Sequence, residues 1–427
     1  MNQEKIEITP QFEELYNLLE NKKQNIILFG GAGTGKSTFL NWFRNKTKKN
    51  IVVLAPTGIA ALNVRGQTIH SMFKFPFKPI TPGDIEPISQ SKKSLLKHAD
   101  ILVIDEISMV KADILDGINW SLQINLASKK LFAGKQLLLM GDIFQLPPVV
   151  TNDVAFFYNS VYESPYFFSS KVFSLMNFKN YCFDKIFRQS DKEFINNLNK
   201  IRFANVNTEV LNYFNKRSVE CNEKEILTIT SYANSAELTN TLELAKLETE
   251  EKVYKGKEWG KFKWEKSKML TPLELKLKVG AQVIFTKNDE KEQYKNGMIG
   301  KITHLRPNHI GVRVGEKEIE VTKVNWNMIE FVWDEHENKF NEVEVGGFEQ
   351  FPLALGWAIT IHKSQAQTYD KVKIDLGRGA FAPGQLYVAL SRCKNYNKIY
   401  LTKPIKNSDV ICSNILLNWW KKTVALS

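Results

Sequence analysis

Residues Ile26–Leu40, IILFGGAGTGKSTFL, run from an apolar strand through a glycine-rich turn into the start of a helix. Gly30 is followed by four residues and then by Gly35, Lys36 and Ser37, the spacing of a phosphate-binding P-loop. Glycine carries no Cβ, so backbone N–H groups around Gly31, Gly33, Thr34 and Gly35 can point into one concavity that holds a triphosphate. The helix that follows aims its positive end at the same place. There Lys36 reaches the β- and γ-phosphates, the Ser37 hydroxyl can ligate Mg²⁺, and Thr38 extends the cradle. A chance glycine turn would need neither the strand before nor the helix after, and both are present. The stretch predicts bound nucleotide and Mg²⁺ in an α/β fold.

Moving outward, Thr9-Pro10-Gln11 opens a helical pattern with Phe12, Leu15, Leu18 and Leu19 on one face. Ile51–Leu54, Ile101–Ile104 and Leu137–Met140 are short apolar runs that read as buried strands, each followed by a loop. Such strands alternating with helices predict a parallel sheet whose ligands gather at the strands' carboxyl ends. Asp105 and Glu106 stand at one of these ends. In P-loop enzymes the first carboxylate of such a pair holds Mg²⁺, usually through water, and the second takes the proton of the attacking water. A solvated acidic turn is the plain alternative, and the four apolar residues leading into the pair argue against it. Gln145, in the loop GDIFQLPP after the fourth run, is an amide able to sense the γ-phosphate or orient water.

The pattern resumes after about residue 180, with strands at Ile226–Thr230 and Val372–Leu376 and a helix over Gly384–Cys393. Between them, Leu275–Glu344 holds short alternating stretches separated by Gly, Asn and Lys turns, which predict a small antiparallel barrel inserted in the second α/β unit. The expected division is a first domain over 1–180, a second over 181–270 and 345–427, and a barrel over 271–344. The chain has 427 residues, 43% of them apolar, which suits a globular protein of two to four domains. A formal net charge of +12 favours a polyanionic partner, although lysine-rich surfaces also serve solubility. Cys182, Cys221, Cys393 and Cys412 are scattered singly, without zinc-site or disulfide spacing. No leader and no membrane-length apolar run is visible, so a reducing, cytoplasmic setting and no membrane partner are expected.

The P-loop, the VIDE strand end and GDIFQLPPV together resemble the Pif (petite integration frequency) helicases, of the RecD-like branch of helicase superfamily one. The resemblance covers nearly the whole chain. Thr9-Pro10-Gln11 matches the family's adenine-reading segment, and Ala55–Phe73, APTGIAALNVRGQTIHSMF, its first DNA-contacting motif. FRQSDKEFINNLNKIR, TSYANSAELTN, LKVGAQVIFTKND, TIHKSQAQT and GQLYVALSR then follow in family order. The resemblance implies two RecA-like P-loop domains closing on one ATP, an SH3-like barrel in the second and a short wedge in the first at about 65–80. Gln11 would read the adenine. Arg188 and Arg392, from the second domain, would act as arginine fingers on the γ-phosphate; a surface ion pair is the alternative for each.

For DNA, Thr57, Gly58 and Asn63 are candidate phosphate donors, with His70 and Phe73 beside them. Phe73, Phe75 and Phe77 either stack on bases or belong to a core or hydrophobic pin, and Lys74–Pro79 corresponds to the wedge. From the second domain His362, Lys363, Ser364 and Thr368 resemble the motif that joins DNA contact to the ATP cleft. Lys287 and Asn288 of the barrel would cover the strand. Two positions depart from the family pattern, Ala366 and Ala133, where the family has Gly. If Ala366 needs positive φ its loop is strained.

The resemblance implies an ATP- and Mg²⁺-dependent 5′-to-3′ DNA helicase acting on single strands and on forked or tailed duplexes. It further implies G-quadruplexes or RNA–DNA hybrids as substrates, and roles in replication, recombination, repair and telomere maintenance. A monomeric motor unit is expected. The lack of long terminal extensions suggests a minimal bacterial or viral form. An RNA helicase of the same superfamily and an ATP-gated single-strand clamp that does not unwind are the alternatives.

Overall fold

The computed structural model describes residues 8–221, 223, 225–260, 271–337, 339–365 and 367–425, and Ala366 lies outside them. The first domain opens with α1 (Pro10–Glu20), which buries Phe12, Leu15, Leu18 and Leu19, the face its spacing predicts. Its sheet comprises β1 (Asn25–Gly30), β2 (Ile51–Ala55), β3 (Gln67–Thr68), β4 (Ile101–Ile104), β5 (Gln136–Gly141) and β6 (Phe178–Phe183). The order is β3-β2-β4-β5-β1-β6 and every pairing is parallel. Connecting these strands are α2 (Lys36–Lys46), α3 (Gly58–Asn63), α4 (Ile69–Phe73), α5 (Gln90–His98), α6 (Ala112–Asn125) and α7 (Asn152–Val161).

The apolar runs are continuous because both sheet faces are covered. Ile27, Phe29, Val52, Leu54, Leu102, Ile104, Leu137 and Leu139 face one core. Ile26, Leu28, Val53, Ile101, Val103, Leu138 and Met140 face the other, with α1 and α2. Each such side chain stabilises the fold by about 1.5–3 kcal/mol relative to exposure.

The chain then forms α8 (Lys192–Arg202), α9 (Thr208–Asn215), β7 (Leu227–Thr230) and α10 (Ala233–Ala245). An inserted region follows, with β8 (Lys252–Lys255), β9 (Lys257–Gly260), β10 (Glu274–Leu277), β11 (Gln282–Phe285), β12 (Ile299–Leu305), β13 (His309–Val314), β14 (Lys317–Thr322), β15 (Val324–Asp334), β16 (Lys339–Gln350) and β17 (Leu353–Leu355). Five of them make an antiparallel sheet in the order β14-β13-β12-β11-β17, over a core that includes Val283, Phe285, Ile302, Val312 and Ile319. The second domain closes with β18 (Ala358–Thr360), β19 (Val372–Asp375), α11 (Gln385–Ser391) and β20 (Ile399–Leu401), giving the parallel sheet β18-β7-β19-β20.

Three features depart from the expected division. The insert starts before 271, since β8 pairs with β10 and β9 with β16. The boundary set at 344 falls inside β16, because β15 and β16 form one long hairpin that leaves the five-stranded sheet and reaches the first domain. There Trp333 stacks on His98 of α5 at 4.0 Å between ring centroids, and Phe331 is buried in the first domain's core. The final helix, α12 (Asn414–Ala425), was expected with the second domain yet packs on the first. Trp419 stacks on Phe168 at 4.4 Å, and Trp420 meets Phe29 and Phe144 edge-on. An apolar helix face is buried wherever a matching surface is offered.

Candidate active site and nucleic-acid interface

The P-loop sits at the carboxyl end of β1, with Gly33 and Gly35 at positive φ, +79° and +88°. Lys36 Nζ donates to the Gly30 and Gly31 carbonyls at 2.8 and 3.1 Å, and Thr34 Oγ1 to Gly31 at 3.0 Å. Ser37 and Thr38 are exposed at the start of α2. Burial pushes the Lys36 amine down, partly offset by Asp142 and Glu106. Phe187 N–H donates to the Gly33 carbonyl at 2.8 Å, and a Cβ on Gly33 would run into the Arg188 side chain. The segment carrying Arg188 therefore lies directly on the loop. Gln11, partly exposed, donates from Nε2 to the Cys182 carbonyl at 3.3 Å.

Asp105 and Glu106 terminate β4 as their sequence position requires. Burial raises the Asp105 carboxyl. Glu106 is pushed up to about 7, by burial first and by Asp105 second, against the pull of Lys36. Its backbone is left-handed, φ 51° and ψ 44°, a conformation that costs a non-glycine residue about 1–3 kcal/mol. Gln145 Nε2 donates to Asp142 Oδ2 at 3.2 Å.

Three residues that sequence reasoning left without a role complete the cleft. Arg202 donates to Asp142 Oδ1 from Nη2 at 2.7 Å and from Nε at 3.1 Å. Tyr387 of α11 donates to Asp142 Oδ2 at 2.9 Å, and its oxygen accepts the P-loop N–H of Ala32 at 3.0 Å. Burial alone would raise the Asp142 carboxyl, but Arg202 and then Lys36 outweigh it and hold it low. Asp142 carried a signal, since it closes β5 as Asp105 closes β4. Arg202 carried none: it ends α8 and reads as an ordinary cation in a last turn. Gly384 opens α11 at φ +74°, where a Cβ would strike the Phe144 and Gln145 carbonyls, so this glycine lets the two domains touch.

Arg188 and Arg392 come to the same cleft. Arg188 Nη1 donates to the Ser391 carbonyl at 3.2 Å. Arg392, 1% exposed, donates to the carbonyls of Val388, Ser364 and Gln367 and to Ser391 Oγ. Neither has a carboxylate in ion-pair contact among the described residues, so the surface ion pair is not what holds them. Burial pushes both guanidiniums down, and Arg392 adds to the effect on Arg188. Two desolvated cations side by side make a place for an anion.

The DNA candidates divide. Thr57 caps α3, accepting from Ala60 N–H at 3.2 Å, with Gly58 and exposed Asn63 on that helix. Phe73 must be corrected: it is fully buried and stacked on Phe75, so it is core and offers no face to a base. The ring at the surface is Phe77, 79% exposed and stacked on His70 at 5.0 Å. Gly117 of α6 admits Phe75 and Ile80, which root the Lys74–Pro79 loop. Ser364 is fully buried and donates to the Ile361 carbonyl at 2.7 Å, whereas His362 is exposed and Lys363 and Thr368 are partly so. Lys287 Nζ donates to the Asn325 carbonyl at 2.7 Å, and Asn288 Oδ1 accepts from Asn296 N–H at 2.7 Å. Between α3, β3 and β15 lies a groove lined by Arg65, Gln67, Thr68, Asn327 and Glu330 among others.

The family profile described as PIF1-like helicase matches residues 2–212. The ATP-dependent DNA helicase Pif1 of Campylobacter jejuni is 32% identical over 95% of this chain and 94% of its own length. The Bacteroides sp. Pif1 in complex with ADP-AlF4 is 37% identical, covers 98% of this chain and 97% of its own, and superimposes with a TM-score of 0.89. Bacteroides Pif1 bound to single-stranded DNA, again 37% identical and covering 97% and 96%, superimposes with a TM-score of only 0.72. Equal identity with unequal overlap points to a difference in how the parts are disposed, and the arrangement here is nearer the first of the two.

Proposed function

This chain belongs to the PIF1-like helicase family, as an ATP-dependent DNA helicase, and from that premise we propose that it moves 5′ to 3′ along single-stranded DNA, opening tailed or forked duplexes. G-quadruplexes and RNA–DNA hybrids fall within the same proposal. The observation that supports it best is the pair Arg188 and Arg392, the first half-buried and the second fully buried in the cleft, with no carboxylate in ion-pair contact among the described residues. Such a pair suits the charge that develops on a transferring γ-phosphoryl group, and it ties the second domain to the nucleotide held by the first.

In this scheme Lys36 leaves the Gly30 and Gly31 carbonyls for the β- and γ-phosphates, and the Ala32 N–H exchanges the Tyr387 oxygen for a phosphate oxygen. Glu106 accepts the proton of the attacking water and Gln145 orients that water. Gln11 reads the base. Ser37 and Asp105 offer hard oxygen donors, which fit Mg²⁺, and the ion when bound neutralises phosphate charge. Loss of the γ-phosphate frees the two arginines, and the domains shift the strand held between Thr57, Gly58, Asn63 and His70 on one side and His362, Lys363 and Thr368 on the other. Lys287 and Asn288 close over it.

The motor unit is proposed to be a monomer acting in the cytoplasm. Among the described residues no helix is long and apolar enough to cross a membrane. Unwinding of duplexes bearing either a 5′ or a 3′ single-stranded tail, with and without ATP, tests activity and polarity together. Release from the 5′-tailed substrate alone is expected. Release only from the 3′-tailed one would overturn the polarity, and ATP turnover stimulated by DNA with no release from either would favour the clamp.

A further inference from the structure

We propose that the inserted sheet carries a divalent transition-metal site, suited to Zn²⁺, formed by His304, His309 and Glu320. These residues come from three neighbouring strands, β12, β13 and β14. His304 pairs with Gly311 and Gly311 with Glu320, in one row across the sheet, and His309, two residues before Gly311 and paired with Thr322, lies on the same face of β13. Two local irregularities make the row usable. The register slips between Ile302 and His304, a bulge that re-aims the histidine. In the middle of the row stands Gly311, where a Cβ would run into the His304 imidazole. The ring lies across the glycine and reaches the next strand.

There His304 Nε2 is 3.1 Å from Glu320 Oε1, and His309 Nε2 is 4.0 Å from Glu320 Oε2. One ligand atom from each residue can be chosen so that all three lie within 4.8 Å of one another. His304 Nε2 is nevertheless buried, and its approach to Glu320 does not make a hydrogen bond of acceptable geometry. A metal would satisfy it. Around tetrahedral zinc the ligand atoms stand about 3.3 Å apart, so only small side-chain rotations are needed. The opposite nitrogen, Nδ1, lies 3.4 Å from Thr303 Oγ1, which itself donates to Glu318 Oε1 at 2.5 Å. A hydroxyl that accepts from Nδ1–H keeps the proton there and frees Nε2 for the metal. Two imidazoles and one carboxylate favour zinc over the Mg²⁺ of the nucleotide cleft. Bound there, the ion would tie the edge strand β14 to β13 and, across it, to β12.

The test is titration of the full chain with Zn²⁺, and with Co²⁺ as an optical probe, in excess Mg²⁺ so that the nucleotide cleft is filled. One zinc per chain is expected, with visible absorption of a tetrahedral ion when Co²⁺ replaces it. His304→Ala and His309→Ala should each weaken binding at least tenfold, and Thr303→Val less, through the loss of the hydroxyl behind Nδ1. Zinc should raise the thermal midpoint of the unaltered chain and not of the His304→Ala variant. Should an alanine variant fold poorly, His304→Asn gives the same comparison. The absence of a saturable zinc site, or equal affinity in the unaltered chain and the folded histidine variants, would overturn the proposal and leave a plain imidazole–carboxylate contact.

Discussion

Glu106 combines a left-handed backbone with a carboxyl pushed up to about 7 by burial and then by Asp105, and both properties bear on how it would act. A base works only when ionised, so without a bound cation its acid limb would fall near that value, with activity rising as pH rises through it. Mg²⁺ on Asp105 adds positive charge and should move the limb lower. The turnover–pH profile measured at two Mg²⁺ concentrations checks the direction, and Glu106→Gln should abolish the limb together with most of the rate while ATP still binds. Lys36→Ala should remove turnover and spare much of the DNA affinity, because the phosphate cradle and the α3 surface are separate; hydrolysis at the unaltered rate would contradict its place in the scheme. Ala133 was readable from sequence as standing where the family has glycine, and the structure gives the reason. It lies at φ 52°, between Phe132 at 48° and Gly134 at 76°. Ala133→Gly should therefore stabilise the chain by on the order of 1 kcal/mol, read from its denaturant midpoint.

At the level of elements, what sequence makes legible follows burial. β2, β4 and β5 are apolar on both faces, and β4 ends at the residue the pattern predicts. α1 shows its inner face through simple spacing. The β15–β16 hairpin does not announce itself, because Phe331, Trp333 and Phe340 are spaced among Asn, Glu and Asp, and their partners lie in a domain far off along the chain. Tyr387 was hidden for a related reason: in a helix buried along its whole length, one tyrosine among apolar neighbours looks like packing. Only the fold brings its oxygen to Ala32. Tyr387→Phe would remove a competitor for that N–H, and a hydrogen bond of about 1 kcal/mol corresponds to roughly fivefold tighter ATP binding, measured without DNA. Unchanged affinity would mean that the contact opens freely. Trp333→Ala should loosen the hairpin and speed amide exchange in Gln90–His98 while leaving Ile51–Ala55 protected.

Over the whole molecule, the net charge of +12 agrees with a phosphate-bearing partner but does not locate it. Binding to single-stranded DNA should weaken with salt, by a log–log slope of about 0.7 for each phosphate neutralised. A flat titration would contradict a grip led by phosphates. The division into motor domains was readable because the apolar runs repeat after residue 180, whereas the return of α12 to the first domain was not, its tryptophans matching a surface built from distant residues. That return has a mechanical consequence. The chain leaves the first domain after β6 and re-enters it at α12, so two covalent straps hold the second domain, like a door on a pair of pins, and the β15–β16 hairpin rests against the first domain as a latch. A body attached at one point can swivel in any direction; attached at two, it swings about the line that joins them. The geometry of the stroke would then be set by where those straps cross, before any strand is bound.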